Sequence, residues 1–297
     1  MSAPINYLML QSIVGSNAER IAFIDFKLRF TGILKRSDLL EEFGLSDASA
    51  SKLIAQYSEL RPDNLSYDRS QKVNAILIES YQPLIQISVN TALGMLAHGF
   101  NKNKLSHSPF LPYSRIGVIP DQIDINDVAT ITRAMFNLHA VNCAYLSANS
   151  EKHDPRSLVP LTILSDGKNW IFRAYDRSEK EKYAFKNFNF SRIAKVENII
   201  GEAKSQLGYE SLTQDNHWNL SLPVRLKVHP NLSEKAKASL RGDYGMKPDQ
   251  DELIITEKAA FIWFITKQWN IDTSESTSDK KYFKFLLKNR EMLLDYI

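Results

Sequence analysis

The chain has 297 residues, 43% of them hydrophobic and 24% charged, with a formal net charge of +3 and a pI near 8.7. That length exceeds one small module and fits two or three domains, each able to bury a core, while no apolar run approaches the roughly 18 residues that cross a bilayer. So mild a charge argues for neither nucleic acid nor membrane, and residues 1–80 hold nine Lys and Arg against ten Asp and Glu, so any cationic footprint there is local.

The opening Met1-Ser2-Ala3-Pro4-Ile5-Asn6 lacks the basic start and apolar core of a signal peptide, and a cytoplasmic protein is expected. From Arg36 the pattern becomes informative. Leu39, Leu40 and Phe43 mark a helix that breaks at Gly44, where glycine permits a left-handed turn. Ser46 stands where an N-cap oxygen would meet the free amides of a second helix. In that helix Ala50, Leu53, Ile54 and Tyr57 follow i, i+3, i+4, i+7 spacing and predict one narrow buried stripe. Ser49, Ser51, Lys52 and Gln56 lie off it, as donors and acceptors able to meet base edges and phosphates. Paired helices of this kind also occur in purely structural roles. The residues just downstream favour DNA. Pro62 stops regular structure, and two short runs flank the polar turn Asp68-Arg69-Ser70-Gln71, a hairpin placed like a wing. Arg69 and Lys72 fall at its tip, where cations near a duplex backbone gain from counterion release. Arg36 completes the candidate DNA-contacting set.

Residues 79–112 read as a connector between domains, with Pro83, a helix from about Val89 to His98, and a polar stretch from Gly99 to Ser108. A stronger helix follows over Ile123–His139, its apolar face carried by Val128, Ile131, Met135 and Leu138. Five strand-like runs come next: Asn142–Ser147, Ser157–Leu164, Asn169–Tyr175, Tyr183–Asn189 and Ile193–Ile200. A helix followed by five short strands suggests a small closed barrel. Tyr145 and Ser147 share one side of their strand, and Arg156, Arg173, Lys186 and Arg192 are expected to converge on the same pocket. Unless acidic neighbours neutralise them, four cations there favour an anionic ligand, with Tyr145 as a stacking surface. The competing reading makes them solvated strand residues, with Trp170 and Phe172 as core. The sole cysteine, Cys143, sits in an apolar run and reads as a buried thiol. No Gly-x-Ser-x-Gly elbow, phosphate loop or His-Glu-x-x-His pair is present, and histidines 98, 107, 139, 153, 217 and 229 are scattered, so neither catalysis, cofactor nor metal is expected. The Asn-Leu-Ser sequons at Asn64, Asn219 and Asn231 carry no meaning in the cytoplasm. After residue 206 the pattern is strand, helix, strand, helix and a last apolar run near Tyr282–Leu287, a small α/β sandwich; Phe261, Trp263, Phe264, Ile265 and Trp269 overload its second helix with apolar mass.

The stretch Arg156-Ser157-Leu158-Val159-Pro160, then Gly167 to Tyr175 with Trp170-Ile171-Phe172-Arg173-Ala174-Tyr175, then Phe188-Asn189-Phe190-Ser191-Arg192-Ile193 resembles a WYL domain, with Trp170-Ile171-Phe172 in place of the Trp-Tyr-Leu of its name. Where the family commonly has Arg-Asp-Phe, this chain has Lys186-Asn187-Phe188, which keeps one charge but loses a guanidinium fork and a carboxylate. Over nearly its whole length the chain is similar to bacterial WYL transcription factors, closest to regulators of BREX and CBASS phage-defence systems. The resemblance implies a multidomain α+β protein. Its parts would be a winged helix-turn-helix (1–80), a helical linker (81–112), an Sm-like, SH3-like barrel (113–205) and a C-terminal WCX extension (206–297) for dimerisation. It further implies a homodimeric repressor on an inverted-repeat operator in double-stranded DNA, released by a single-stranded nucleic acid, nucleotide or other phosphorylated effector. An enzyme, or an adaptor that uses the barrel as its docking surface, is the alternative; the missing nucleophile-base motif argues against the first and the wing against the second.

Overall fold

The computed structural model describes residues 3–106, 111–112, 122–147, 155–179, 183–278 and 282–297. The chain divides into two compact units, Met1–Leu207 and Gly208–Ile297.

The first unit opens with α1 (Tyr7–Val14), capped by the Asn6 side chain on the Met9 amide. The next helix, α2 (Ala18–Thr31), is buried almost all round, through Ile21, Ala22, Phe23, Ile24, Phe26, Leu28 and Phe30. It serves two cores at once. Ile21, Ile24 and Leu28 enter the core of the winged domain, while Phe26 and Phe30 enter the core of the sheet that follows. Beyond β1 (Ile33–Leu34) come α3 (Arg36–Phe43) and α4 (Asp47–Leu60), joined through Gly44 at φ 63°, the left-handed turn the sequence predicts. A hairpin of β2 (Leu65–Asp68) and β3 (Val73–Ile76) follows, and β1 adds to it in the order β1-β3-β2.

A buried carboxylate ties these parts together. Asp25, on α2, accepts hydrogen bonds from the Tyr57 hydroxyl of α4 (2.8 Å), the Tyr81 hydroxyl (2.9 Å) and the amides of Leu84 and Ile85 (3.1 Å each). Asn64, just before the wing, donates to the Tyr57 oxygen at 2.7 Å, and its side-chain amide also donates to the Gln82 carbonyl and accepts from the Gln82 amide, at 2.8 Å each. Burial pushes the Asp25 carboxyl above the usual aspartate range, against the pull of its donors.

The connector helix α5 (Val89–His98) has the predicted bounds, and Ala92, Leu93 and Met95 are buried in the same core as Phe26 and Phe30. In α6 (Ile125–Phe136), Val128 and Ile131 face that core and Met135 packs against it. Leu138 does not, contrary to the predicted face: the helix ends before it, its φ is 55°, and it is 61% exposed. The strands are β4 (Val141–Tyr145), β5 (Arg156–Ser165), β6 (Trp170–Asp176), β7 (Phe185–Asn189) and β8 (Ile193–Asn198), in the order β7-β6-β5-β4-β8. Strand pairing does not close the expected barrel among the described residues. At the ends of β7 and β4 the Asn189 amide donates to the Tyr145 hydroxyl at 2.8 Å, and the Leu146 amide donates to the Arg192 carbonyl at 2.9 Å. Cys143 is buried and its thiol pushed up to about 12 by burial.

The second unit holds α7 (Asn216–Asn219), β9 (Ser221–Val228), α8 (Glu234–Asp243), β10 (Glu252–Lys258), α9 (Ala259–Gln268), β11 (Ile271–Asp272) and β12 (Phe285–Leu287). The sheet order is β10-β9-β12-β11, and Leu240 and Ile262 of α8 and α9 join Val224, Leu226 and Phe285 in one core. On α9, Trp263 stays exposed while Ile262 is buried. His229 is buried with Nε2 3.4 Å from Asp272; His107 and His153 lie outside the described residues, as does the domain start at residue 113.

Tyr57→Phe removes one hydrogen bond to Asp25 and the acceptor for Asn64 while keeping the ring. It should cost roughly 1–3 kcal/mol in urea unfolding, and Asp25→Asn, which turns an amide donor toward other donors, should cost at least as much.

Candidate nucleic-acid interface and effector face

Ser46 caps α4, its hydroxyl accepting from the Ser49 amide at 3.3 Å, so the N-terminus of the predicted reading helix is built as the sequence implies. The two hydroxyls also meet at 3.0 Å, and the Ser51 hydroxyl donates to the Asp47 carbonyl. Ser46, Ser49, Ser51 and Lys52 are exposed on one continuous stretch, and Ala50, Leu53 and Tyr57 are buried opposite. Lys52 makes no ion pair among the described residues. Gln56 is placed differently from expectation: it is half-buried, and its carbonyl oxygen accepts from Asn17 at 2.9 Å, which holds it against the start of α2.

The wing has the predicted tip. Asp68 accepts from the Ser70 hydroxyl and from the amides of Ser70 and Gln71, and these bonds hold its carboxyl below the usual range. The turn exposes Arg69 and Lys72, the latter at φ 56°. Arg36 is exposed in the first turn of α3. The domain thus offers a capped helix end with short hydroxyls, one lysine beside them, and a two-cation hairpin.

The cations of the sheet do not form the open cluster that the sequence predicts. Arg156 is bonded to Asp176 at 2.9 Å, and Asp176 is only 1% exposed. Lys186 is paired with Glu179. Arg173 is 2% exposed and donates to Asn187 Oδ1 at 3.0 Å. The register explains the scatter. Arg173 opposes Asn187 across β6 and β7, whereas Phe172 opposes Phe188, so alternation sends Arg173 to the face away from that aromatic core. Arg156 and Asp176 flank Leu158 on the core side. Tyr145 and Arg192 do come together. Burial pushes the Tyr145 phenol up, while the Asn189 amide and the Arg192 guanidinium pull it down, and its ring meets Phe188 edge-on at 5.1 Å. Ser147 lies two residues beyond Tyr145, half-buried. Trp170 bonds Asn90 of α5 at 2.9 Å, and Phe172 is core.

Sequence reading missed the residues that join the two halves of this unit. Arg133 of α6 donates to the Arg29 carbonyl at 2.9 Å, and Asn137 to the Thr31 carbonyl at 2.8 Å, meeting the orphan carbonyls at the end of α2. The sequence signal was no more than an Arg and an Asn near a helix end.

No helix among the described residues is long and apolar enough to cross a membrane, and none of their acidic, His and Cys side chains gather into a metal-binding group of three.

Three family models match the chain in order. They are the BrxR transcriptional regulator winged helix-turn-helix domain over residues 16–97, the WYL domain over 126–198, and the BrxR transcriptional regulator C-terminal dimerization domain over 221–293. Among curated relatives, the DNA-binding transcriptional repressor CapW of Escherichia coli (strain KTE188) is 27% identical over 277 residues, covering 92% of this chain and 89% of that protein. CapW of Pseudomonas aeruginosa is 27% identical over 283 residues, 94% of this chain and 91% of that one. Among solved structures, proteasome accessory factor B/C of Arthrobacter aurescens shares 16% identity at a TM-score of 0.26, over 84% of this chain and 44% of that chain.

Asp176→Ala leaves the Arg156 guanidinium without its carboxylate and the Ser178 amide without its acceptor. A loss of about 1–3 kcal/mol is expected in chemical denaturation.

Proposed function

We propose that this chain, built in order from winged helix-turn-helix, WYL and C-terminal dimerization segments like those of WYL transcription regulators, is a DNA-binding transcriptional repressor that acts as a homodimer. The observation that carries the reading is the pairing of a Ser46-capped helix, exposing Ser49, Ser51 and Lys52, with a wing that exposes Arg69 and Lys72. Such a helix enters a major groove by its N-terminal part while the wing follows the backbone. We assign residues 1–80 to DNA, 81–112 to a linker, 113–205 to effector sensing and 206–297 to pairing of subunits. Two reading heads related by a two-fold axis call for an inverted-repeat operator. The chemistry is binding throughout, with no bond broken, and the cytoplasm is its place.

The WYL segment is read as a small Sm-like, SH3-like barrel that senses an effector. Arg192, which is exposed, and Ser147 are its best-supported contacts, and Tyr145, buried with its hydroxyl on the Asn189 amide, holds Arg192 beside the sheet. Arg156, Arg173 and Lys186 serve there as supporting residues, since each is already bonded within the chain. The ligand class that suits the set is a nucleic-acid-like or other phosphorylated molecule, and the regulated genes are those of a phage-defence operon of the BREX or CBASS kind.

Lys52→Ala and Arg69→Ala should leave unfolding curves unchanged and weaken operator binding in gel shifts. Each lost phosphate contact lowers the salt slope by about 1, and a lost base contact costs roughly 1–3 kcal/mol. Unchanged affinity in both variants would make the helix structural. Footprinting of the parent protein should protect two half-sites one helical turn, or a whole number of turns, apart.

Arg192→Ala should keep operator affinity while blunting the release of a preformed complex by short single-stranded DNA. A ligand shifts that equilibrium only by its differential affinity for the two states. Outright loss of DNA binding in a folded variant would instead place Arg192 in the DNA-binding machinery.

A further inference from the structure

We propose that β10 is the edge through which two copies of this chain join, strand against strand, antiparallel about Ile255. The inference rests on the homodimer reading and names the backbone that carries it.

β10 is an end strand of its sheet, paired only with β9 among the described residues. The Val228 amide donates to the Asp251 carbonyl at 2.9 Å and the Ala259 amide to the Leu220 carbonyl at 2.8 Å. These two bonds fix the alternation of the ladder: odd-numbered residues from 251 to 259 turn their backbone groups to β9. The amides and carbonyls of Glu252, Ile254, Thr256 and Lys258 therefore point off the open edge. At the ends they are met locally, the Glu252 carbonyl by the Gln250 side chain at 2.7 Å and the Lys258 amide by the Glu257 side chain at 2.8 Å. Ile254 and Thr256, between them, have no such cover among the described residues.

Free edges of this kind are normally blunted by proline, a bulge or an inward-pointing charge. β10 has no proline, its register with β9 runs unshifted over seven residues, and its middle carries Ile254 at 58% exposure. Leu253 and Ile255, on the core side, remain only partly buried, so the layer stops short at this edge.

The register follows from parity and charge. Outward residues must meet outward residues, and the two-fold axes that engage at least three of the four lie at 254, 255 and 256. An axis at Ile255 alone engages all four: Ile254 lies opposite Thr256 of the second copy, and Glu252 opposite Lys258 of the second copy, each pair occurring twice. An axis at Ile254 sets Glu252 against Thr256 and leaves Lys258 over; one at Thr256 sets Ile254 against Lys258. Opposite charges across the strand favour the first arrangement. Glu252 already reaches Arg225 at 3.2 Å and Lys258 the Trp218 carbonyl at 2.9 Å, so neither charge depends on the second copy for a partner.

The test uses the full chain. Thr256→Pro deletes an outward amide and no bond to β9, and Ile254→Lys sets a cation in the middle of the seam. Each should weaken the dimer about tenfold or more in sedimentation, with the far-ultraviolet circular dichroism of the parent. The register is read by cross-linking. Chains carrying Ile254→Cys, mixed with chains carrying Thr256→Cys, should give a disulfide-linked pair under mild oxidation, because residues facing each other across a ladder lie within disulfide reach. Ile254→Cys alone should not. If the parent is dimeric, both seam variants retain its dissociation constant and the mixed chains do not cross-link, the strand assignment is wrong and the homodimer reading stands. A parent chain that sediments as a monomer overturns both.

Discussion

One buried carboxylate sets the geometry of the N-terminal domain. Asp25 lies in the middle of an apolar helix, and its donors come from the reading helix (Tyr57) and from the chain after the wing (Tyr81, Leu84, Ile85), with Asn64 joined through Tyr57. An apolar contact tolerates small slips because dispersion is non-directional. A buried acceptor does not, since any shift of α4 or of the post-wing chain leaves a desolvated group without its bond. The rigidity of the reading head therefore comes from a polar network inside an apolar core, and the wing keeps its place relative to α4 through Asn64 rather than through its own short hairpin.

The same helix connects this head to the sheet. Phe26 and Phe30 leave one core for the other, and the last carbonyls of α2 are held by Arg133 and Asn137 of α6. Burial brings the Arg133 guanidinium down to about 10, with Arg29 beside it adding like-charge repulsion. Arg133 also packs on Gly32, whose φ of 80° makes the turn into β1. A displacement of α6 has a direct mechanical path to the turn that feeds the winged sheet, because the Ile76 amide of β3 bonds the Gly32 carbonyl at 2.9 Å. The end of α6 and the last strand of the winged domain are thus joined through a single turn.

Much of this was legible in the sequence, for identifiable reasons. Gly44, Ser46 and the Ala50-Leu53-Ile54-Tyr57 stripe are local signals, each read within one turn of helix, and α4 carries all of them. The same holds for the five strands and for α5. By contrast α2 gave no signal, because a helix buried on every side has no polar face to set a period. Gln56 looked free because helical spacing places it off the stripe; only the tertiary placement of Asn17 beside it turns its amide into a packing contact. Leu138 fits a helical repeat on paper, but Asn137 ends the helix and the repeat outruns the structure.

The sheet cations show a deeper limit of reading charge along a chain. Counting Arg156, Arg173, Lys186 and Arg192 suggested a cluster that favours an anion unless acids neutralise it, and strand register decides which face each occupies and which acid it meets. Asp176 lies twenty residues from Arg156 in sequence but diagonally beside it across β5 and β6. Lys186 finds Glu179, seven residues before it in the chain. Neutralised cations add little field at a distance, so the count overstates the attraction of the sheet for an anion. In the winged domain the opposite holds. Its net charge is unfavourable, but Lys52, Arg69 and Lys72 make no ion pair among the described residues, and they accompany a capped helix end. What marks a face for a polyanion is where charge is left uncompensated beside donors of fixed geometry, and net charge is a poor guide to that.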